Sequence, residues 1–244
     1  MSPEKAALSS SSEASSKGWS LGVEHRLYAV LVGIFVTCLV LGDVIGGKAF
    51  ATPVGPVSVG MTLFPVTFLL TDVINDFYGR RGARFVTAIG AGMATLAYVA
   101  LVVTTALPTD VDSYFGAGEY AKIFGGSSKL FIASIVAYLI GQLLDIQVFL
   151  YWKRLTRGRH LWLRATGSTL LSQLVDTATI NAIFWSGVAG KDWGWIGAKI
   201  AREYVLKVLI AVALTPVVYA VHGAIVRGLG LTPAPHEAEA TDGH

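Results

Sequence analysis

The sequence is poor in charged residues and nearly free of cysteine. Only 14% of its 244 residues are charged, whereas a soluble domain carries about a quarter, and the mean hydropathy is +0.59. Because 53% of the residues are apolar, a soluble globular domain and a mainly disordered chain are both excluded. The single cysteine, Cys38, excludes an intrachain disulfide, and no Cys/His cluster resembles a metal site. We expect no metal and no cofactor.

Long apolar runs dominate the rest of the chain. Six stretches lack Asp, Glu, Lys and Arg, at 27–42, 49–71, 85–109, 130–144, 165–175 and 208–226. Three of them reach bilayer length only if one acid lies within the span or at its end, namely Asp43, Asp145 or Asp176. The sequence therefore predicts an all-α, polytopic membrane bundle of six transmembrane helices. We place these helices near 25–47, 57–79, 84–107, 129–153, 166–190 and 200–226.

Polar tails flank the six predicted helices. Residues 1–22 and 229–244 hold few large apolar side chains and are predicted to be disordered, which leaves 23–228 as the membrane domain. Twelve of the 19 lysine and arginine residues lie in the N-terminal tail, at the outer ends of the first and sixth helices, or in and beside the loops after the second and fourth helices. Positively charged loops stay in the cytoplasm, so we expect both termini to be cytoplasmic. We interpret these basic residues as topology signals and expect no nucleic-acid partner.

Proline and glycine mark the second predicted helix. Pro65 lies inside it and removes one backbone hydrogen bond, so this segment is predicted to be broken or kinked. Gly79 is suited to the left-handed position that follows a helix end. The cations Arg80, Arg81 and Arg84 then complement the negative end of the helix dipole. We therefore expect a short cytoplasmic loop between the second and third helices.

Three predicted helices carry polar side chains that lipid would not tolerate. Residues three or four apart share one face of a helix, and an ionisable group at the bilayer centre costs about 2.5 to 3.5 kcal/mol. We therefore expect these faces to converge on a polar interior cavity. The residues are Asp72 and Asn75 on the second helix, Tyr138, Gln142 and Asp145 on the fourth, and Gln173 and Asp176 on the fifth.

This set of side chains suits a flat heterocycle with several N–H donors, such as a purine-like edge. Carboxylates accept hydrogen bonds, amides both donate and accept, and Tyr138 could stack on the ring. The alternative is that these residues only join helices to one another. Lys207 lies four residues after Glu203 and is expected to pair with it or to reach an acid on another helix. Asp43 and Lys48 are expected to reach the membrane interface.

One segment is more specific than these patterns. Residues 64–84, FPVTFLLTDVINDFYGRRGAR, resemble the signature of the queuosine precursor transporter family, also called the vitamin uptake transporter family. Two further blocks agree: AYLIGQLLD at 137–145, and LWLR at 161–164 followed by GSTLLSQLVD at 167–176. Lys207, Thr215-Pro216 and Tyr219 also fit, so the resemblance covers 27–226. This chain has Asp76 and Ala165 where family members often have Glu and Asn.

The resemblance implies a transporter rather than an enzyme, with no catalytic residue. It would import the 7-deazaguanine precursors of queuosine, 7-cyano-7-deazaguanine (preQ0) and 7-aminomethyl-7-deazaguanine (preQ1), across the bacterial cell membrane for salvage into tRNA. Its partners would be this small molecule and the lipid bilayer, and a homodimer is compatible with it. The expected substrate site comprises Asp72, Asn75, Tyr138, Gln142, Asp145, Gln173, Asp176 and Lys207.

Three other functions are weighed against this one. The six-helix plan is also similar to the substrate-binding subunits of energy-coupling-factor importers for a vitamin-like or purine-like molecule. Such a subunit needs a partner ATPase, and the chain itself has no Walker motif. An intramembrane aspartyl protease using Asp145 and Asp176 would carry Gly-x-Gly-Asp, which the sequence lacks. A purely structural membrane protein would not need so many carboxylates at membrane depth.

Overall fold

The computed structural model describes residues 22–155 and 161–234, and side chains throughout these ranges except at Arg80, 142–155 and 161–170. Of the predicted tails, residues 1–21 and 235–244 fall outside the described residues, and Leu229 still belongs to the last helix. Five α-helices and a two-stranded sheet lie within the described ranges. The helices are α1 (Val23–Ile45), α2 (Phe64–Ala106), α3 (Ala117–Leu155), α4 (Leu161–Trp185) and α5 (Trp193–Leu229), and the strands are β1 (Ala49–Phe50) and β2 (Val57–Ser58).

The helices have the length and composition of a membrane bundle. Four helical segments among the described residues are long and apolar enough to cross a bilayer: Val23–Ile45, Arg81–Ala106, Ala117–Gly141 and Trp193–Leu229. Many large apolar side chains on these helices are exposed, as expected for contact with lipid. The all-α membrane bundle is therefore confirmed. The count of six spans and the side on which the termini lie stay predictions.

The connection between α1 and α2 differs from the prediction, which placed the start of a helix at residue 57. β1 and β2 pair antiparallel, with Ala49 opposite Ser58, and a short 3-10 helix (Val59–Thr62) follows. The Ser58 side chain accepts a hydrogen bond from the Gly60 N–H and caps this turn. The second helix begins at Phe64 rather than at 57, and Pro65 lies in its first turn. Proline is tolerated there because its missing N–H has no helical partner, so Pro65 starts the helix and does not kink it.

The kink in α2 lies at Gly79 instead. This residue has φ 64° and ψ −173°, a conformation that only glycine adopts without strain. The left-handed glycine was predicted correctly, but the loop after it was not. The helix resumes at once and continues to Ala106, so Arg81 and Arg84 lie on helical turns. The kink divides α2 into a first segment at 64–78 and a second segment at 80–106.

A buried cluster holds α1, both segments of α2 and α5 together. Its members are Leu31, Phe35, Leu70, Val73, Ile74, Phe77, Val86 and Ile225. Beside the kink, the Tyr28 hydroxyl donates to the Gly82 carbonyl at 2.8 Å, and the Tyr78 hydroxyl donates to the Glu24 carbonyl at 2.7 Å. The Ala234 N–H donates to the Asp76 carbonyl at 2.9 Å. The start of α1, the kink and the residues after α5 therefore meet at one end of the bundle.

Different contacts close the opposite end. The Ser127 hydroxyl of α3 donates to the Val44 carbonyl of α1 at 2.9 Å. The Lys129 ammonium, also on α3, donates to the Ser186 carbonyl at 2.6 Å, just after α4. The Asp192 side chain caps α5 by accepting from the Trp195 N–H at 2.8 Å. Helix caps and interhelical hydrogen bonds thus hold the helices together at both ends of the bundle. Space remains between the helices in the middle of the bundle.

We expect Gly79→Ala to destabilise the protein by about 1 to 3 kcal/mol, because a Cβ forces strain on this backbone conformation. Space is not the obstacle, since the nearest side-chain atom to a Cβ here is 3.7 Å away. Thermal unfolding in detergent measures the effect. Gly92→Ala is the matched control, because Gly92 lies on a regular turn of α2 with nothing within 4 Å of its Cβ position. Equal stability of the two variants would contradict a strained kink.

Candidate functional site

A cavity of about 650 Å³ lies between the five helices and the α1–α2 connection. Six of the expected substrate residues line it: Asp72, Asn75, Tyr138, Gln173, Asp176 and Lys207. The remaining two, Gln142 and Asp145, lie on α3, but their side chains are outside the described part of the chain. Polar faces of α2, α3 and α4 therefore do converge on one cavity. The role of these residues in binding stays a prediction.

An ion pair joins α4 to α5 at the cavity wall. The Lys207 ammonium lies 3.1 Å from a carboxylate oxygen of Asp176. Lys207 was expected to pair either with Glu203 or with an acid on another helix, and it pairs with the second of these, Asp176. The same ammonium lies 5.2 Å from the centre of the Phe64 ring, within the range of a cation–π interaction. Lys207 thus neutralises Asp176 and bridges α4, α5 and the start of α2.

Glu203 forms a second and more deeply buried polar centre. One of its carboxylate oxygens accepts hydrogen bonds from the Lys199 ammonium and from the Ser58 N–H at 3.0 Å. The other oxygen accepts from the Asn181 amide at 2.8 Å. Lys199 is wholly buried, and its ammonium lies 5.5 Å from the Trp185 ring centre. A buried carboxylate is tolerated when paired and fully hydrogen-bonded, as Glu203 is.

The sequence analysis missed Lys199. Lys199 lies four residues before Glu203, and Lys207 lies four residues after it. The spacing alone therefore does not decide which lysine pairs with Glu203. Asn181 was not among the expected site residues, yet it is buried against Glu203. Through these contacts the strand β2 is held against α4 and α5 at one end of the cavity.

Asp43 is not at the membrane interface as expected. It is 9% exposed, lines the cavity and accepts a hydrogen bond of 2.7 Å from the Ser134 hydroxyl of α3. Lys48 is exposed and separate from it. The expectation was wrong because a donor on α3 holds the carboxylate inside the bundle, so it has no need to reach water. Its second oxygen has no hydrogen-bond partner among the described residues.

Residues on both sides of the kink face the cavity. Asp72 and Asn75 do so from the first segment of α2, and Arg84 and Thr87 from the second. Arg84 was expected in a loop, and that was wrong because the helix continues through it. Asp76 is not among the residues lining the cavity. It is hydrogen-bonded to His222 and so ties α5 to the end of the first segment.

The sequence matches the model of one known family. Residues 58–221 match the family model described as "putative vitamin uptake transporter". The chain belongs to this family. The resemblance seen in residues 64–84 is thereby confirmed. This member of the vitamin uptake transporter family is a transporter and not an enzyme, and its apolar helices make it a multi-pass membrane protein.

Bacterial relatives cover two thirds of this transporter. It is 32% identical over 167 residues to the "probable queuosine precursor transporter" of Bacillus subtilis, covering 67% of this chain and 70% of the relative. It is 32% identical over 164 residues to the "queuosine precursor transporter" of Escherichia coli, covering 66% of this chain and 71% of the relative. A Haemophilus influenzae relative of the same kind is 27% identical over 166 residues. No solved structure matches the chain significantly.

We expect Glu203→Gln to destabilise the transporter by about 3 to 5 kcal/mol, because it leaves the buried Lys199 ammonium without its counter-charge. The double variant Lys199→Met, Glu203→Gln removes both charges and should regain most of the loss. Thermal unfolding in detergent checks both. Lys122→Gln is the control, since Lys122 is exposed on α3. A single variant that unfolds at the wild-type temperature would contradict the role given to the pair.

Proposed function

We propose that this protein imports queuosine precursors across the bacterial cell membrane, for salvage into tRNA. Membership of the vitamin uptake transporter family and the similarity to the queuosine precursor transporters of Bacillus subtilis and Escherichia coli support this substrate. Those names also favour a transporter over the substrate-binding subunit of an energy-coupling-factor importer. The resemblance implies 7-deazaguanines, preQ0 and preQ1, as the molecules carried.

The shape and chemistry of the cavity carry this proposal. Its volume, about 650 Å³, falls in the range of about 300 to 1,000 Å³ that is typical of small-molecule sites. Its polar wall offers acceptors to a base rich in N–H donors, since Asp72 and Gln173 line it from α2 and α4. Aromatic rings of Phe64 and Tyr138 line the same space and suit stacking on a flat heterocycle.

Within this proposal the eight expected residues keep distinct roles. Asp72, Asn75 and Gln173 hydrogen-bond the base, and Tyr138 packs against its face. Lys207 holds Asp176 in place by their 3.1 Å ion pair and balances the negative charge of the wall. Gln142 and Asp145 complete the site from α3, about one and two helical turns beyond Tyr138. The proposed transporter domain extends over 23–228.

We also propose six membrane spans with both termini in the cytoplasm. The spans are α1, the two segments of α2, α3, α4 and α5. The contact of Tyr78 with Glu24 and of Ala234 with Asp76 supports an even number of crossings, because it gathers the beginning of α1, the kink and the end of α5. Arg81 and Arg84 follow the kink at that end, in keeping with a cytoplasmic location.

The proposed substrate is tested in a bacterial host that lacks both queuosine precursor synthesis and its own importer. Cells expressing this chain and fed nanomolar preQ0 or preQ1 should regain queuosine in their tRNA. Asp176→Asn should lower uptake by about tenfold or more, because Lys207 then lacks its counter-charge and the wall loses an acceptor. Asp112→Asn is the matched control, since Asp112 is exposed between α2 and α3.

Two outcomes would count against the proposal. Failure of the wild-type chain to restore queuosine, with the protein present in the membrane, would exclude a transporter that works alone on deazaguanines. Restoration only together with a partner ATPase would instead favour the energy-coupling-factor subunit. Equal uptake by Asp176→Asn and wild type would remove Asp176 from the proposed site.

The proposed topology is tested by cysteine labelling in a Cys38→Ser background. In intact cells a membrane-impermeant maleimide should label Asp112→Cys, which lies in the exposed connection between α2 and α3. It should label Thr232→Cys, after the end of α5, only once the membrane has been permeabilised. Labelling of both positions in intact cells would overturn the arrangement with six spans.

A further inference from the structure

We propose that Asp43 is a further substrate-binding residue, which accepts N–H hydrogen bonds from the edge of the base that bears the 2-amino group. Asp43 thereby selects 2-amino-4-oxo bases over bases that lack this amine. The inference rests on the proposed function, since it concerns the same substrate in the same cavity. Asp43 lies outside residues 58–221 that match the family model, and the sequence analysis assigned it to the membrane interface.

The two oxygens of the Asp43 carboxylate differ in their surroundings. The first accepts the 2.7 Å hydrogen bond from the Ser134 hydroxyl, which orients the group from α3. The second is buried and has no hydrogen-bond partner among the described residues. An unpaired buried acceptor is costly, and more so when it is charged. Native structures retain such atoms where another molecule supplies the missing donor.

A second acceptor in the same cavity is also buried without a hydrogen-bond partner among the described residues. The side-chain carbonyl oxygen of Gln173, on α4, is buried and has no hydrogen-bond partner within the described part of the chain. Asp43 and Gln173 both line the cavity, from α1 and α4 respectively. An ionised Asp43 only accepts, as the carbonyl oxygen of Gln173 does, so a molecule that satisfies both atoms must donate. A base with a ring N–H next to an amino group offers donors of this kind.

Charge pairing distinguishes Asp43 from two other acids of the cavity, Asp176 and Glu203. Asp176 is paired with Lys207, and Glu203 is paired with Lys199, so both lysines of α5 at this wall are already engaged. Asp43 is met by a neutral hydroxyl. A carboxylate held in this way keeps its full capacity to accept from a ligand, and hydrogen bonds to a charged acceptor are stronger than neutral ones.

This arrangement predicts selectivity as well as affinity. An analogue without the 2-amino group enters the same cavity but leaves an acceptor buried and unpaired. Sites built to hydrogen-bond a polar group reject analogues that lack it much more strongly than apolar pockets reject a missing methylene. The discrimination between the two bases therefore reports on the contact with Asp43 itself.

The experiment compares two substrates on the full-length protein in importer-deficient cells. The probes are 7-cyano-7-deazaguanine and its counterpart without the 2-amino group, and the readout is the ratio of their uptake efficiencies. We expect the wild type to prefer the amino-bearing base by about 10- to 100-fold, the value of a hydrogen bond to a charged group. In Asp43→Asn we expect this preference to fall to about fivefold or less, with little change in uptake of the analogue.

A ratio measured on one preparation does not depend on how much protein reaches the membrane. Asp112→Asn makes the same chemical change at an exposed site and should keep the wild-type preference. Ser134→Ala leaves the carboxylate in place without its donor and should raise the KM for the amino-bearing base by about 3- to 10-fold. If the Asp43→Asn protein does not reach the membrane, the KM of Ser134→Ala tests the role of Asp43 instead.

The outcomes separate this inference from the proposed function. An unchanged preference in Asp43→Asn overturns the role of Asp43, even when total uptake falls, because a merely structural residue lowers uptake of both bases alike. An unchanged KM in Ser134→Ala overturns it as well. Wild-type cells that take up neither base overturn the proposed function and this inference together. Wild-type cells that import the amino-bearing base while Asp43→Asn keeps its preference overturn only the inference.

Discussion

Charged side chains inside an apolar bundle must find their partners within the protein, and Glu203 shows how the rest of the structure depends on this. Its two oxygens are engaged by Lys199 of the same helix, by Asn181 of α4 and by the backbone of Ser58. Removing any of these donors would leave a charge or a dipole unsatisfied in a medium without water. This requirement fixes α4, α5 and the α1–α2 connection against one another, and the cavity is the space that they enclose.

The kink at Gly79 is the second determinant of the cavity. One helix contributes polar side chains from both of its segments, Asp72 before the kink and Arg84 after it, to the same wall. A straight helix rises about 1.5 Å per residue, so twelve positions would separate these two residues by about 18 Å. The left-handed glycine brings them to one cavity, and the tyrosines at 28 and 78 brace the turn through backbone carbonyls.

Features that arise from local patterns could be predicted from the sequence, and features that arise from contacts between distant residues could not. The polar faces with Gln173 and Asp176 followed from helical spacing, and the left-handed Gly79 followed from a glycine at a predicted helix end. The start of α2 was misplaced because an apolar run does not distinguish a strand and a 3-10 turn from a helix. The partner of Lys207 stayed open because Glu203 and an acid on another helix were both acceptable, and only the packed helices bring Asp176 to it.

By itself, the sequence determined that this is a helical membrane protein with a polar interior, because apolar length and carboxylates at membrane depth permit little else. The motif in residues 64–84 also determined its family. Only the tertiary structure decided which charges are paired and which buried acceptors have no partner among the described residues. Asp43 and Asp176 are both single acids in apolar runs, and no local rule separates them. A hydroxyl from α3 meets one and an ammonium from α5 meets the other, because side-chain partners are set by packing across the bundle.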